Sequence, residues 1–358
     1  MQTRRIFRRP KLYGMMLSLL AGLIYLPAAR AQTSEEAGRL YVSGQLDQLI
    51  AQGEASLRKN DQQPILHMFV GRAYADQNRY PEAIPHLEKS RQVPAGSDGV
   101  KVWSLGYLGT SYYFTDQPAK AQAALEECVA LNNTQNATKY AQRRLQGYQL
   151  LPFYAGWRVV ETAHLRLHFQ SPEQVPDLAR YAAEREQAYQ AISQKFPASL
   201  SKKIDFYVWN NKADAKPVLQ RELGFAVPEA MLVNARQNQT RGHELAHVLV
   251  QHSLQPTQRT KLINEGIAVY LDQTGANRLQ RARQLAQGRA DVWRLWEHPE
   301  AADEGQLYAV GGALLEYLAA HATPEQLRAL LKDQRAEANR AALEPLVAAF
   351  EQELAKPE

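Results

Sequence analysis

The densest chemistry in this 358-residue chain lies in His243-Glu244-Leu245-Ala246-His247 and, downstream, Asn264-Glu265-Gly266. If residues 241 to 252 are helical, His243 and His247 stand at i and i+4, so both imidazoles leave one face and can converge on one cation. This is the HExxH arrangement. Zinc suits it, because a catalytic zinc takes three protein ligands and keeps one position open for water; another divalent metal could take the same ligands. The third ligand must come from elsewhere, and Glu265 is the candidate. Glu265 lies 18 positions after His247, far enough for one helix to end, a loop to turn and a second helix to return beside the first. Ser253, Gln255 and Pro256 break the first helix, and Leu262, Ile263, Ile267 and Leu271 recur at helical spacing through Thr260 to Asp272. Glu244 follows His243 directly, so its side chain points off the ligand face toward the water, as a general base must.

HELAH followed by NEGIAVYLD resembles the gluzincin metallopeptidases, the group of thermolysin and aminopeptidase N. The likeness is closer to the aminopeptidase N branch, where an asparagine-glutamate-glycine run supplies the third zinc ligand. Tyr308-Ala309-Val310-Gly311-Gly312-Ala313-Leu314-Leu315 is similar to that branch's YxxG helix. The resemblance implies that Tyr308 donates a hydrogen bond to the oxyanion of the tetrahedral intermediate. It also implies that Asp272 holds a ligand histidine by its other ring nitrogen. The glycine/methionine/glutamate/asparagine run with which the exopeptidases grip a free amino terminus is missing. Val227-Pro228-Glu229-Ala230-Met231 does not replace it, so an endopeptidase is expected rather than an aminopeptidase.

The rest of the chain must carry these residues. Arg4, Arg5, Arg8, Arg9 and Lys11, an apolar run from Leu12 to Leu26, and Ala29-Arg30-Ala31 predict an export signal over residues 1–31. A periplasmic or extracellular protein is expected, touching the membrane only transiently through that segment. Without the leader's six basic residues, 36 basic side chains face 37 acidic ones, so the net charge of +5 becomes about −1. With no basic patch carrying interleaved aromatics, nucleic acid is not an expected partner. Cys128 is the only cysteine, so no intrachain disulfide can form.

Residues 34–151 repeat a pattern. Gly71, Ala73 and Tyr74, then Pro81, Ala83 and Leu87, are answered 38 residues later by Gly109 and Tyr112, then Ala119, Ala121 and Leu125. This is similar to tetratricopeptide repeats. A degenerate unit around Leu40 to Ile50 and a helix from Ala137 to Leu150 would cap the stack, and Pro94 to Gly99 would absorb the extra length between the copies.

After Pro152, Trp157 to Val160, Leu165 to Phe169 and Ile204 to Val208 read as strands, and Ser171-Pro172 predicts the start of a helix reaching Phe196. Met231-Leu232-Val233 reads as a fourth short strand, and the resemblance implies that it borders the cleft, its open edge receiving an extended peptide. His164 and His168 read as half-exposed strand residues rather than ligands, and His252 as pointing away from the metal. Residues 284–306 read as an irregular insertion whose Trp293 and Trp296 either wall the cleft or pack. Thr323-Pro324 with Gln326 predicts a capped helix near the end.

The expected fold class is α+β: an all-α repeat domain over 34–151, then over 155–356 a thermolysin-like zincin domain with a small mixed sheet and a helical lower lobe. The expected function is an exported zinc endopeptidase whose repeats recruit a protein partner or its peptide or protein substrate. The alternative is an interaction scaffold with a structural or retired zincin domain.

Overall fold

Pro64, Pro81 and Pro118 each sit in the first turn of a helix, where the missing N–H has no intrahelical acceptor to lose. They help divide the N-terminal part into α1 (Ser34–Val42), α2 (Leu46–Leu57), α3 (Pro64–Asp76), α4 (Tyr80–Ser90), α5 (Asp98–Phe114), α6 (Pro118–Leu131) and α7 (Gln135–Gly147). The computed structural model describes residues 34–93, 98–287 and 290–356. The expected export signal lies outside them, as does most of the expected turn at Pro94 to Gly99. Among the described residues no helix is long and apolar enough to cross a membrane.

The helical hairpins α3/α4 and α5/α6 pack in the same way. A Cβ on Gly71 would stand 2.7 Å from Leu87 Cγ, and one on Gly109 would stand 2.3 Å from Leu125 Cγ. The two glycines that answer each other in sequence therefore receive the two leucines that answer each other. Cys128 is buried, its thiol donates to Val102 O at 3.2 Å, and burial pushes it up to about 11.

A five-stranded mixed sheet follows, built of β1 (Arg158–Glu161), β2 (Leu165–Phe169), β3 (Ile204–Trp209), β4 (Phe225–Val227) and β5 (Leu232–Arg236), in the order β1-β2-β3-β5-β4. β2, β3 and β5 are parallel, and β1 and β4 are antiparallel edges. The segment expected to offer an open edge at 231–233 is thus an interior strand, paired on both sides. The edge is β4, which sequence reading missed. Ser171-Pro172 opens only a 3-10 turn, because Pro176 forces Val175 into an extended conformation; Asp177 then caps α8 (Leu178–Lys195).

The sheet joins the N-terminal helices through buried and half-buried polar contacts. Asp205 on β3 meets Lys202, His168 (2.9 Å) and Arg166 (3.3 Å), and Arg166 reaches Asp116 at the end of α5 (2.8 Å). Burial pushes the Asp205 carboxyl up, but the Lys202 and Arg166 charges and the His168 bond outweigh it and hold it well below the usual carboxylate range. Tyr113 donates to Ala230 O at 2.8 Å, and Asn234 to Gln149 Oε1 at 2.7 Å.

The remaining chain is helical apart from short turns: α9 (Lys212–Leu219) between β3 and β4, then α10 (His243–Leu254), α11 (Lys261–Leu271), α12 (Arg278–Ala286), α13 (Val292–Glu297), α14 (Glu304–His321), α15 (Pro324–Lys332) and α16 (Ala336–Ala355). The expected irregular stretch at 284–306 contains α13, capped by the Asp291 side chain. Trp293 and Trp296 stack at 5.0 Å and are buried, with Trp296 Nε1 donating to Gln334 O; they pack rather than wall the cleft. Thr323 and Gln326 form the expected capping box. The protein is mostly helical with one small mixed sheet, an α+β arrangement.

Candidate metal centre

α10 begins at His243, so His243 and His247 occupy adjacent turns of one helix face, their rings 5.2 Å apart and nearly perpendicular. α11 lies beside it and brings in Glu265. Glu265 Oε2 is 3.2 Å from His243 Nε2 and 3.5 Å from His247 Nε2, and the three ligand atoms lie within 4.8 Å of one another. Tetrahedral zinc with bonds of about 2.0–2.1 Å sets neighbouring ligand atoms about 3.3–3.4 Å apart. The two carboxylate distances bracket that edge, so the donor set fits a divalent ion in chemistry and, along both edges to Glu265, in spacing. Side-chain exposures of 12, 9 and 17 % for His243, His247 and Glu265 leave the group accessible yet largely dry.

The neighbours steady this group. The Asn264 amide lies 3.3 Å from His247 Nδ1, the nitrogen opposite the ligand position, and donates to Glu265 Oε1 at 3.2 Å. Burial opposes charge on Glu265, but its hydrogen bonds with His243 and His247 hold its carboxyl well below the usual range. Burial likewise opposes charge on His243, and the bond with Glu265 together with the charge of Glu244 outweighs it, raising the imidazole.

Glu244 is buried, and Gln239 Nε2 donates to its Oε1 at 3.1 Å. Burial pushes its carboxyl above the ordinary value, against the opposing charges of His243 and His247. Tyr308, on the first turns of α14, stacks on His243 with ring centres 5.9 Å apart and donates a long bond of 3.4 Å to Glu304. Burial, with the charge of Glu265, keeps its phenol protonated far above the usual range. All five of these residues line one cleft of about 770 Å³, whose other wall includes Phe225 and Ala226 of β4.

Asp272 also lines the cleft, at the end of α11, but the hydrogen bond expected from it to a histidine ring is not formed. Its Oδ1 accepts from Thr274 (2.6 Å) and Arg278 (3.1 Å), and it acts on His243 through charge alone. The residue beside a ligand ring nitrogen is Asn264, whose signal was its place next to Glu265. Gln239, the partner of Glu244, gave no signal in the sequence. His164 and His168 pair with Glu186 (2.6 Å) and Asp205 (2.9 Å), far from this group in the fold, and His252 donates to Pro228 O at 2.9 Å. No family model matches the chain, and no curated protein matches it.

Proposed function

We propose that this chain is an exported zinc-dependent endopeptidase of the gluzincin kind, in which tetratricopeptide-like repeats precede a zincin-type domain. The observation that carries the reading is the convergence of His243, His247 and Glu265 in a cleft that also holds Glu244 and Tyr308. A divalent ion held by those three residues would supply Lewis acidity, acidifying water and polarising a carbonyl. Glu244, oriented by Gln239, takes the proton of the attacking water and delivers it to the departing amine. Tyr308 keeps its own proton and donates a hydrogen bond to the oxygen of the carbonyl as negative charge develops there. Water is thereby added across the amide, the C–N bond breaks, and a carboxylate and an amine leave.

β4, the terminal strand of the sheet, offers on its unpaired side backbone N–H and C=O groups along which an extended peptide can pair. The matched packing of Gly71 on Leu87 and Gly109 on Leu125 supports the repeat reading, and a stack of such hairpins suits recruitment of a protein partner or substrate. The basic and apolar leader supports export. The test is the metal content of the purified protein beside its cleavage of an unfolded protein mixture, with Glu244→Gln as control. One zinc per chain and cleavage falling steeply only in the variant are expected; hydrolysis undiminished in Glu244→Gln would sink the mechanism.

A further inference from the structure

Most charged groups around the cleft are paired. Glu222 binds Lys216 (2.9 Å), Arg259 binds Glu229 (2.9 Å), Lys261 binds Glu304 (3.2 Å) and Arg278 binds Asp272 (3.1 Å). Two guanidinium groups lining the same cleft, Arg221 and Arg236, are not. Among the described residues neither has a carboxylate within ion-pair distance. Arg221 is exposed and lies over the Phe225 ring, 3.5 Å from its centre. Arg236 is half-buried, and its Nε is sealed from water with no acceptor. Its two terminal nitrogens are not sealed and, among the described residues, donate to no protein group, so they are the atoms that a ligand oxygen in the cleft can reach.

Their position gives the ligand its place. In the antiparallel pairing Phe225 of β4 stands opposite Asn234 of β5, so Arg236, two residues on, projects beyond the start of β4. Arg221 precedes that same end. The turn after β5 runs directly to the base, since Gln239 N donates to Arg236 O at 3.0 Å and the Gln239 side chain donates to Glu244. An anion between the two arginines would therefore lie one short turn from the group that handles the proton.

We infer that Arg236 and Arg221 form a carboxylate subsite at the β4 end of the cleft, selecting peptides with a carboxylate close to the bond cut. This rests on the peptidase reading for its substrate, not for its charge. The planar fork of a guanidinium takes both oxygens of a carboxylate, so binding depends on geometry as well as on sign. The carboxylate comes either from an acidic side chain or from the end of the substrate chain.

The zinc-loaded Glu244→Gln protein, titrated calorimetrically, separates binding from cutting. The probes are alanine-rich octapeptides with one glutamate walked through every position, their glutamine counterparts, and each in acid and amide form at the C terminus. One register of glutamate is expected to bind about 10- to 100-fold tighter than its glutamine counterpart, the range of a charge-assisted hydrogen bond. If the preference instead follows the C-terminal acid, the chain end supplies the carboxylate. Arg236→Gln should erase the preference while leaving the glutamine peptide unaffected, and Arg236→Lys should restore only part of it. Exposed Arg221→Gln gives a second variant with little risk to folding, and should weaken the preference. Equal binding of all glutamate and glutamine peptides, or none, overturns the subsite, as does a preference that survives in the double variant. Wild-type protein that binds acidic peptides through Arg236 yet never cuts them would overturn the peptidase reading and keep the subsite.

Discussion

Two histidines and a glutamate meet twice in this protein, to different ends. Between α2, α3 and α4, His67 Nδ1 lies 2.9 Å from His86 Nδ1, His86 Nε2 lies 3.1 Å from Glu54, and His67 Nε2 lies 3.0 Å from the Asp61 carbonyl. Every ring nitrogen there is used by another protein group, so the cluster is a chain with no common centre. At the start of α10, both Nε2 atoms and a Glu265 oxygen face the same point instead, and Asn264 stands behind His247. Among the described residues, this is the set of His, Cys, Asp and Glu side chains whose ligand atoms gather closely enough to hold a metal. Proximity of the right residue types is shared by both clusters; convergence of the three ligand atoms on one point separates them.

The sharpest way to break that contrast is to remove one ring from each. His247→Ala should abolish stoichiometric zinc and all hydrolysis, whereas His67→Ala should leave zinc content unchanged, both read by elemental analysis of purified protein. Next in size is Glu244→Gln, which keeps the metal and should lower kcat by roughly 10²–10⁴, the usual contribution of a general base. Tyr308→Phe should cost about 10²–10³ in kcat, the range for one oxyanion donor, with KM and zinc content little changed. A smaller effect, on stability, is expected from Gly109→Ala: the added methyl meets Leu125, and overpacking of this kind costs about 1–3 kcal/mol in denaturant melts without altering zinc. The smallest is a pH dependence in the histidine chain between α3 and α4. Burial holds His86 below its ordinary value, so the unfolded chain takes up the proton first and stability falls as the pH drops below about 6.5. His86→Gln should flatten that slope in melts between pH 7 and 5, and an unchanged slope would remove His86 as its source.

Periodicity made the helices of this protein legible before the structure, since Leu262, Ile263, Ile267 and Leu271 could share a face in only one regular conformation. The ligand spacing was legible for the same reason, the i and i+4 positions of His243 and His247 being a helical relation. β4 was not, because three residues are too few to show an alternation, and its identity as the edge depends on β5 pairing on both sides. The partners of Asp272 were hidden too. Thr274 and Arg278 reach back to it only because the chain turns sharply at the end of α11, a direction the spacing does not encode. Gln239 and Arg236 matter through what they touch or fail to touch, and no residue type announces that.

α11 and α14 cross where Gly266 meets Gly311, so closely that a Cβ on Gly266 would stand 2.7 Å from the Gly311 carbonyl carbon and oxygen. Glu265 is next to one of these glycines and Tyr308 one turn before the other. In an assembled instrument, error grows with each joint between two working parts. Here Glu265 and Tyr308 are registered across a seam where backbone meets backbone and the Val269 side chain fills the space over Gly312. A seam this tightly packed leaves little room for the gap between the two residues to change.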